Sequence, residues 1–437
     1  MRSNVDKSAG FIAGDDGGMT VFGMFLTVAF LMMGGYAIDL AHVMAARTQA
    51  QITADATAHA ALVTRERNPE ARAKEVALSI ARGNMPPETF GDFIDADAIE
   101  FGYWDANTAA FVPQPGARSA VRVSVSRHED RDNPVPTFLV HLAGLDQWNV
   151  TRKAVLVTYQ PTCFTEGFVA EGIVDIQSNN SYYNGFCLHS NSHVELNSNN
   201  YFEPGTIVSM PNPDDIVLPN SGYERNEGLL EALRSGSYNI RILARIDDII
   251  AGLESGAPEY LPDFIPGTAP SVTLSTRRLT AGNFTENRVH TYTCSSNQRL
   301  TIEAGTTLRN IALVTNCEIV FGSGVVLEDV VMATTNPGQS SIKSASGLRL
   351  GRDDNCAPGG GVQLVTRGGM NFPADLHMFG SQLLARLNIE FAANANGIQG
   401  ASMVAGGRID GTSNMNMSYC GSGMEDNYTA DYFRLVY

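Results

Sequence analysis

From Gly17 to Ile38 the chain carries no charged side chain. At 1.5 Å per residue such a run makes a helix of about 33 Å, enough to cross the hydrocarbon of a bilayer. The pattern predicts a transmembrane helix over 17–38, after a cytoplasmic N-terminus at 1–16. A cleavable secretory signal is shorter and opens on basic residues, whereas Asp15 and Asp16 precede this run. Beyond Ile38 the pattern changes without a break. Leu40, Val43, Met44, Ala50 and Ile52 recur near helical spacing, with Arg47, Gln51 and Asp55 between them. An amphipathic stalk helix is expected over 39–67, continuous with the span.

A small α+β module is expected over 68–160. "NPEARAKEVALSIARGN" has Pro69 near a first helical turn and Gly83-Asn84 at its end. Ala73, Val76, Ala77 and Ile80 give it an apolar side. "AIEFGYW" and "AVRVSVS" alternate as strands, with Val121, Val123 and Val125 on one face and Arg122 and Ser124 on the other. "DANT" reads as a turn, and "NVTRKAVLVTY" as a closing strand. Trp104 and Trp148 fit core or edge packing.

From Cys163 onward short apolar pulses alternate with Asn, Ser and Gly. Ile311-Leu313, Ile319-Phe321, Val325-Leu327 and Val330-Met332 recur every five to eight residues. Two or three pulses fill about twenty residues, the repeat of a solenoid. Asn and Gly supply corners because they tolerate positive φ, and stacked Asn side chains can bond along the ladder. A mainly β domain is expected over 161–437, a parallel β-helix in preference to an antiparallel sandwich. A helical insertion is expected at about 206–290. In it Leu229, Leu230 and Leu233 form one helical face, and Ile242, Ile246, Ile249 and Leu253 another. It reads as a helical hairpin that shields an edge, followed by the proline-stiffened "PEYLPDFIPGTAP".

Charge and cysteine content sharpen the picture. A net charge of −16 argues against nucleic-acid binding. Cys163, Cys187, Cys294, Cys317, Cys356 and Cys420 all follow the first third of the chain, and none forms a CxxC. They read as disulfides in an oxidising compartment rather than a zinc site. Fifteen pairings are open, with Cys163–Cys187 and Cys294–Cys317 nearest in sequence. Charges flanking the span orient it weakly. The cysteines place residues 40–437 outside the cytoplasm.

The stretch "GGMTVFGMFLTVAFLMMGGYAIDLAHVMAARTQAQITADATAHAAL" resembles the N-terminal segment of the TadE/TadG-like family of the tight-adherence (Flp) pilus machinery. Gly17 and Gly18 open the run, Asp39 marks its exit, Arg47 follows, and "ITADATAHAA" with Asp55 is similar to the family's "LQxAADAAALAA". Residues 98–159 carry similar "GxWD", "FxP", "AVRVxVxR" and "NPVPxFF" elements, the last a helix in that family, so the likeness extends over about 10–160. Processed pilins carry a glutamate five positions after the glycine. Here Phe22 and Gly23 stand there, so the resemblance implies the uncut TadG type. It implies a single-pass protein of the bacterial inner membrane with its bulk in the periplasm or at the cell surface. The expected function is pilus assembly or adhesion through a β-rich surface. Expected partners are pilus-system proteins or pilin subunits, the inner membrane and surface polysaccharide.

Catalysis is the competing expectation, since polysaccharide lyases and hydrolases also use β-helices. Asp353-Asp354 beside Arg352, with Arg408 and Asp410 further on, are the nearest carboxylate sets. His189 and His193 suggest a metal, but no third ligand accompanies them. No GxSxG, HExxH or P-loop occurs. The DxSxS motif of the metal-binding domain in some TadG-like proteins is absent, so neither a metal nor a cofactor is expected.

Overall fold

The computed structural model describes residues 16–295 and 298–436. The expected cytoplasmic N-terminus lies, but for Asp16, outside them. The chain divides into two compact units, residues 1–159 with 431–437 and residues 160–430.

In the first unit, one helix runs from Asp16 to Arg65 without interruption. Its first half is apolar on every side and exposed, with Met19, Phe25 and Leu31 each about 70% or more accessible. This is a candidate membrane span by length and composition. From Val43 one side of the helix is buried. Ala50, Ala54, Ala58 and Ala61 make a ridge against Ala73, Ala77 and Ala81 of the helix Glu70–Asn84. Small side chains let two helices approach closely, so this face is built from the smallest apolar residue. Met44, Ile52 and Ile80, which the pattern placed toward the core, are exposed, and Val76 is only half-buried.

The two helices cover one face of a five-stranded antiparallel sheet. Its order is Ala110–Pro113, Ile99–Asp105, Ala120–Arg127, Val150–Tyr159, Tyr432–Leu435. Val121, Val123 and Val125 point at the helices, and Arg122 points away to Glu100. The last strand comes from the C-terminus and pairs Leu435 with Leu156. Residues 431–437 therefore belong with the first unit rather than with the β domain. The stretch read from the family as an "NPVPxFF" helix is instead a two-residue strand, Val135–Pro136, and a short 3-10 turn, Val140–Ala143. Two prolines within three residues leave too few backbone donors for an α-helix there.

The second unit is β-rich, and among the described residues its strands pair in parallel. Three ladders run side by side. In the first, Leu188 lies between Phe168 and Val208, with steps of twenty residues. In the second, Val174 lies between Ile409 and Val194. In the third, Tyr182 lies between Met417 and Phe202. Interior side chains stack in columns: the rings of Tyr182 and Phe202 lie 4.6 Å apart and nearly parallel. Corners use left-handed backbone at Asn310, Asp329, Gly380 and Gly400. Asn414, Asn179 and Asn199 are likewise left-handed, and their amides bond in a row at 3.2 Å.

Spatial order departs from chain order. The first ladder begins at Val272–Thr273 and continues through Arg288–Tyr292, Thr307–Thr315, Val326–Thr334 and Val362–Thr366. It ends its sequential run on Met370–Ala385 and Ile389–Ala405. Residues 402–405 then pair with Gly167–Ala170, the first strand of the domain, and Cys187–Ser190, Ile207–Met210 and Leu233–Ser235 follow. The chain thus enters mid-ladder, builds outward to Ser235, and restarts at the far end. Residues 236–271 make that return. The expected insertion was wider, because Ile207–Met210 and Leu233–Ser235 are ladder strands. Leu229–Ala232 is a single turn with Leu230 exposed. The return carries a single-turn helix, Arg241–Ala244, running straight into the helix Ile246–Ser255, rather than a hairpin. Ile246, Ile249, Ile250 and Leu253 lie on the outer face of the first ladder, over the strands Arg288–Tyr292, Thr307–Thr315 and Val362–Thr366, in one apolar cluster with Val289, Val314 and Val365. It covers a sheet face rather than an edge.

Candidate functional site

Gly17, Gly18, Asp39, Arg47 and Asp55 all sit on the long helix. Asp55 is half-buried and accepts a 2.8 Å hydrogen bond from Gln51, whose amide also reaches the carbonyl of Lys153. Arg47 is half-buried between them and the apolar half of the helix.

Asp39 is the structural centre of this set. It is the first acidic residue after the apolar run, yet its side chain is 1% exposed. One carboxylate oxygen accepts from the backbone N–H of Phe138 at 2.6 Å. The other accepts from Leu139 at 2.8 Å and Val140 at 2.7 Å. These donors open the 3-10 turn Val140–Ala143 and have no partner within it. A charged acceptor satisfying three such donors makes stronger bonds than neutral pairs do. The clamp fixes the loop to the helix. Leu139 then rests on Gly35, where an added Cβ would meet the Leu139 Cβ at 3.0 Å. The ring of Phe138 lies 4.7 Å from that of His42. Sequence reading marked Asp39 but missed the loop. The signal was present: residues 133–145 carry no Asp, Glu, Lys or Arg.

In the second unit the six cysteines form three pairs: Cys163–Cys187, Cys294–Cys317 and Cys356–Cys420. The first joins the turn Thr162–Thr165 to the first-ladder strand Cys187–Ser190, the second lies at the inner core, and the third ties residues 352–361 to the C-terminal segment.

The carboxylates weighed for catalysis are engaged separately. Asp354 pairs with Arg352 at 2.9 Å and accepts from the Ala357 N–H. Arg408 pairs with Asp175 and with Asp410, the latter at 3.1 Å. Asp410 lies on a second-ladder strand, whereas Asp353-Asp354 follow a third-ladder strand. Burial, then the neighbouring Asp410 and Glu195 charges, push the Asp175 carboxyl above the ordinary range. His189 is buried, with Nδ1 2.7 Å from Ser209 Oγ and Nε2 3.0 Å from Asn191 Oδ1. Burial holds its pKa below that of a free imidazole. His193 instead pairs with Glu195 at 2.9 Å, so the two histidines do not converge. Among the described residues no three His, Cys, Asp or Glu side chains are grouped to hold a metal.

The ladders of the second unit coincide with a family model for a domain of unknown function, DUF7867, over residues 167–421, more than half of the chain. The chain belongs to the DUF7867 family. A second model, Flp pilus-assembly TadE/G-like, matches residues 17–73, which hold the long helix and the start of its alanine-packed neighbour. That match links the chain to Flp pilus assembly, and it includes Gly17, Gly18, Asp39, Arg47 and Asp55. The DUF7867 match includes five of the six cysteines. Comparison with curated proteins and with solved structures returns no match.

Proposed function

We propose that the protein is a single-pass, membrane-anchored, extracytoplasmic component of an Flp pilus system, acting in assembly or adhesion without catalysis. The long helix carries this reading. It is apolar and exposed on every side through its first half, then packed by alanines, and it lies under the TadE/G-like match. Residues 17–38 cross the membrane and 39–67 form the stalk. Residues 68–160 build the pilin-like module, joined by the C-terminal strand. Gly17, Gly18, Asp39, Arg47 and Asp55 serve anchoring and packing. The three disulfides support a periplasmic or surface location for the DUF7867 domain.

The three parallel ladders support a parallel β-helix. Its outer faces present a binding surface toward pilin subunits, other pilus-system proteins or surface polysaccharide. A tethered polysaccharide lyase or hydrolase needs convergent carboxylates, and the carboxylate sets here are held by their own arginines on different ladders.

Deleting the gene and imaging pili by electron microscopy tests the reading. Loss of pili or of surface attachment, restored by the full-length chain, is expected; unchanged pili and attachment refute it. Release of unsaturated or reducing ends from an acidic polysaccharide by the purified protein refutes the non-catalytic part.

A further inference from the structure

We infer that the loop 137–145 is a second membrane contact, an apolar foot that enters the headgroup–acyl boundary beside the span. The inference rests on the reading that residues 17–38 cross the bilayer. Phe138, Leu139, Leu142 and Leu145 are 53%, 43%, 80% and 51% exposed on one short loop. Monomeric domains rarely leave such a cluster open to water.

Its occupant follows from where the loop is tied. Asp39 holds it at the end of the apolar run, and Leu139 packs on Gly35, four residues back toward the membrane. Four residues of helix are about 6 Å, the depth at which interfacial segments bury their apolar side. The neighbouring helix positions, Tyr36 and Ile38, are themselves exposed and apolar, so loop and span form one continuous greasy surface. Phase partition alone does not license this, because a backbone N–H entering hydrocarbon needs a partner. Asp39 supplies that partner to three successive donors. The first charge after the span is thereby spent on the loop backbone rather than on water. A protein partner or a second copy on this patch would require the same four side chains to be covered away from lipid.

The test uses full-length protein in phosphatidylcholine vesicles whose acyl chains carry bromine near the carbonyl end. Two variants, L31W in the span and L142W in the loop, are read against the wild-type emission of Trp104 and Trp148. Both added emissions are expected to fall by about half or more in brominated vesicles, and to resist aqueous iodide, as for groups at the interface or deeper. If L31W is quenched by bromine and L142W by iodide, the foot is overturned and the span stands. If neither is quenched by bromine, the span itself fails and the foot with it. If L142W is shielded from both quenchers, a protein surface covers the loop and the lipid assignment is wrong.

Discussion

The helix Ile246–Ser255 is expected to be held by its apolar face alone, and the double variant I249A/L253A tests this. Ile249 and Leu253 are 1% and 0% exposed, one turn apart, against the outer side of the first ladder. Truncating a buried Ile or Leu to Ala costs about 2–5 kcal/mol. Even at the low end the pair loses about 4 kcal/mol, roughly three orders of magnitude in an opening equilibrium. The competing tether is ionic: Asp247 pairs with Arg367 at 2.6 Å and Arg386 at 2.7 Å. All three side chains are more than a third exposed, and exposed pairs contribute about 0–1 kcal/mol. A ten-residue helix also has little stability of its own. Amide hydrogen exchange followed by mass spectrometry on the full chain reads the outcome. Protection within 246–255 is expected to fall about a thousandfold in I249A/L253A but less than tenfold in D247N. Strands Thr307–Thr315 and Val326–Thr334, bonded on both sides within the ladder, are expected to keep theirs. A fall of less than tenfold in the double variant, or a larger fall in D247N, refutes apolar docking as what holds the helix.

The alanine ridge makes A54L costly and I52A nearly silent. Overpacking costs about 1–3 kcal/mol, a thermal shift of about 2–10 °C for a unit of this size, against about 0.5 kcal/mol or less for the exposed Ile52. Near-ultraviolet circular dichroism during heating distinguishes them, and equal shifts would show that the ridge is not packed. Every cysteine is paired, so the denatured, unreduced chain is expected to take up no maleimide, and labelling of any thiol would contradict the pairing. Burial, then the charges of Asp263, Asp329 and Glu425, raise the Asp426 carboxyl above the usual carboxylate range. The folded form then binds the proton more tightly than the unfolded one, and stability falls as pH rises through that interval. D426N is expected to melt higher than wild type at neutral pH, with the difference closing as pH approaches 4; a constant difference would exclude that cause.

The long apolar helix, the strand pulses and the existence of a helix near Ile246 were legible because large apolar residues mark them. The packed half of the long helix was not, because most of its buried apolar positions are alanines while the large apolar Met44 and Ile52 face out. Periodicity finds greasy faces, whereas close helix approach selects small ones. Leu229 to Leu233 misled for the opposite reason. A short apolar cluster fits a helical turn or a strand equally well, and only the pairing of Leu233 with Val208 decides it.

The interrupted order of the ladders has a subtler trace. Gly167–Ala170 is paired on both sides, by Cys187–Ser190 and by residues 402–405. It therefore reads like any interior strand, and nothing in "GFVA" marks it as the domain's first. What the sequence does carry is a difference between ladders. Second-ladder strands alternate, as in Val174-Asp175-Ile176, with a polar, partly covered side between two buried apolar ones. First-ladder strands are continuous, as in "IALV", "VVMA" and "SMVA", with successive residues buried on opposite faces. A strand apolar on both faces demands a second cover. In this domain the inner cover is the stacked core, and the outer one is the helix of the return segment over the strands around Thr307–Thr315 and the turn Thr162–Thr165 over those around Gly167–Ala170. The same side chains that let the chain leave one end of the ladder and restart at the other thus cover the face they cross, so the unusual order and the doubly apolar strands have one physical cause.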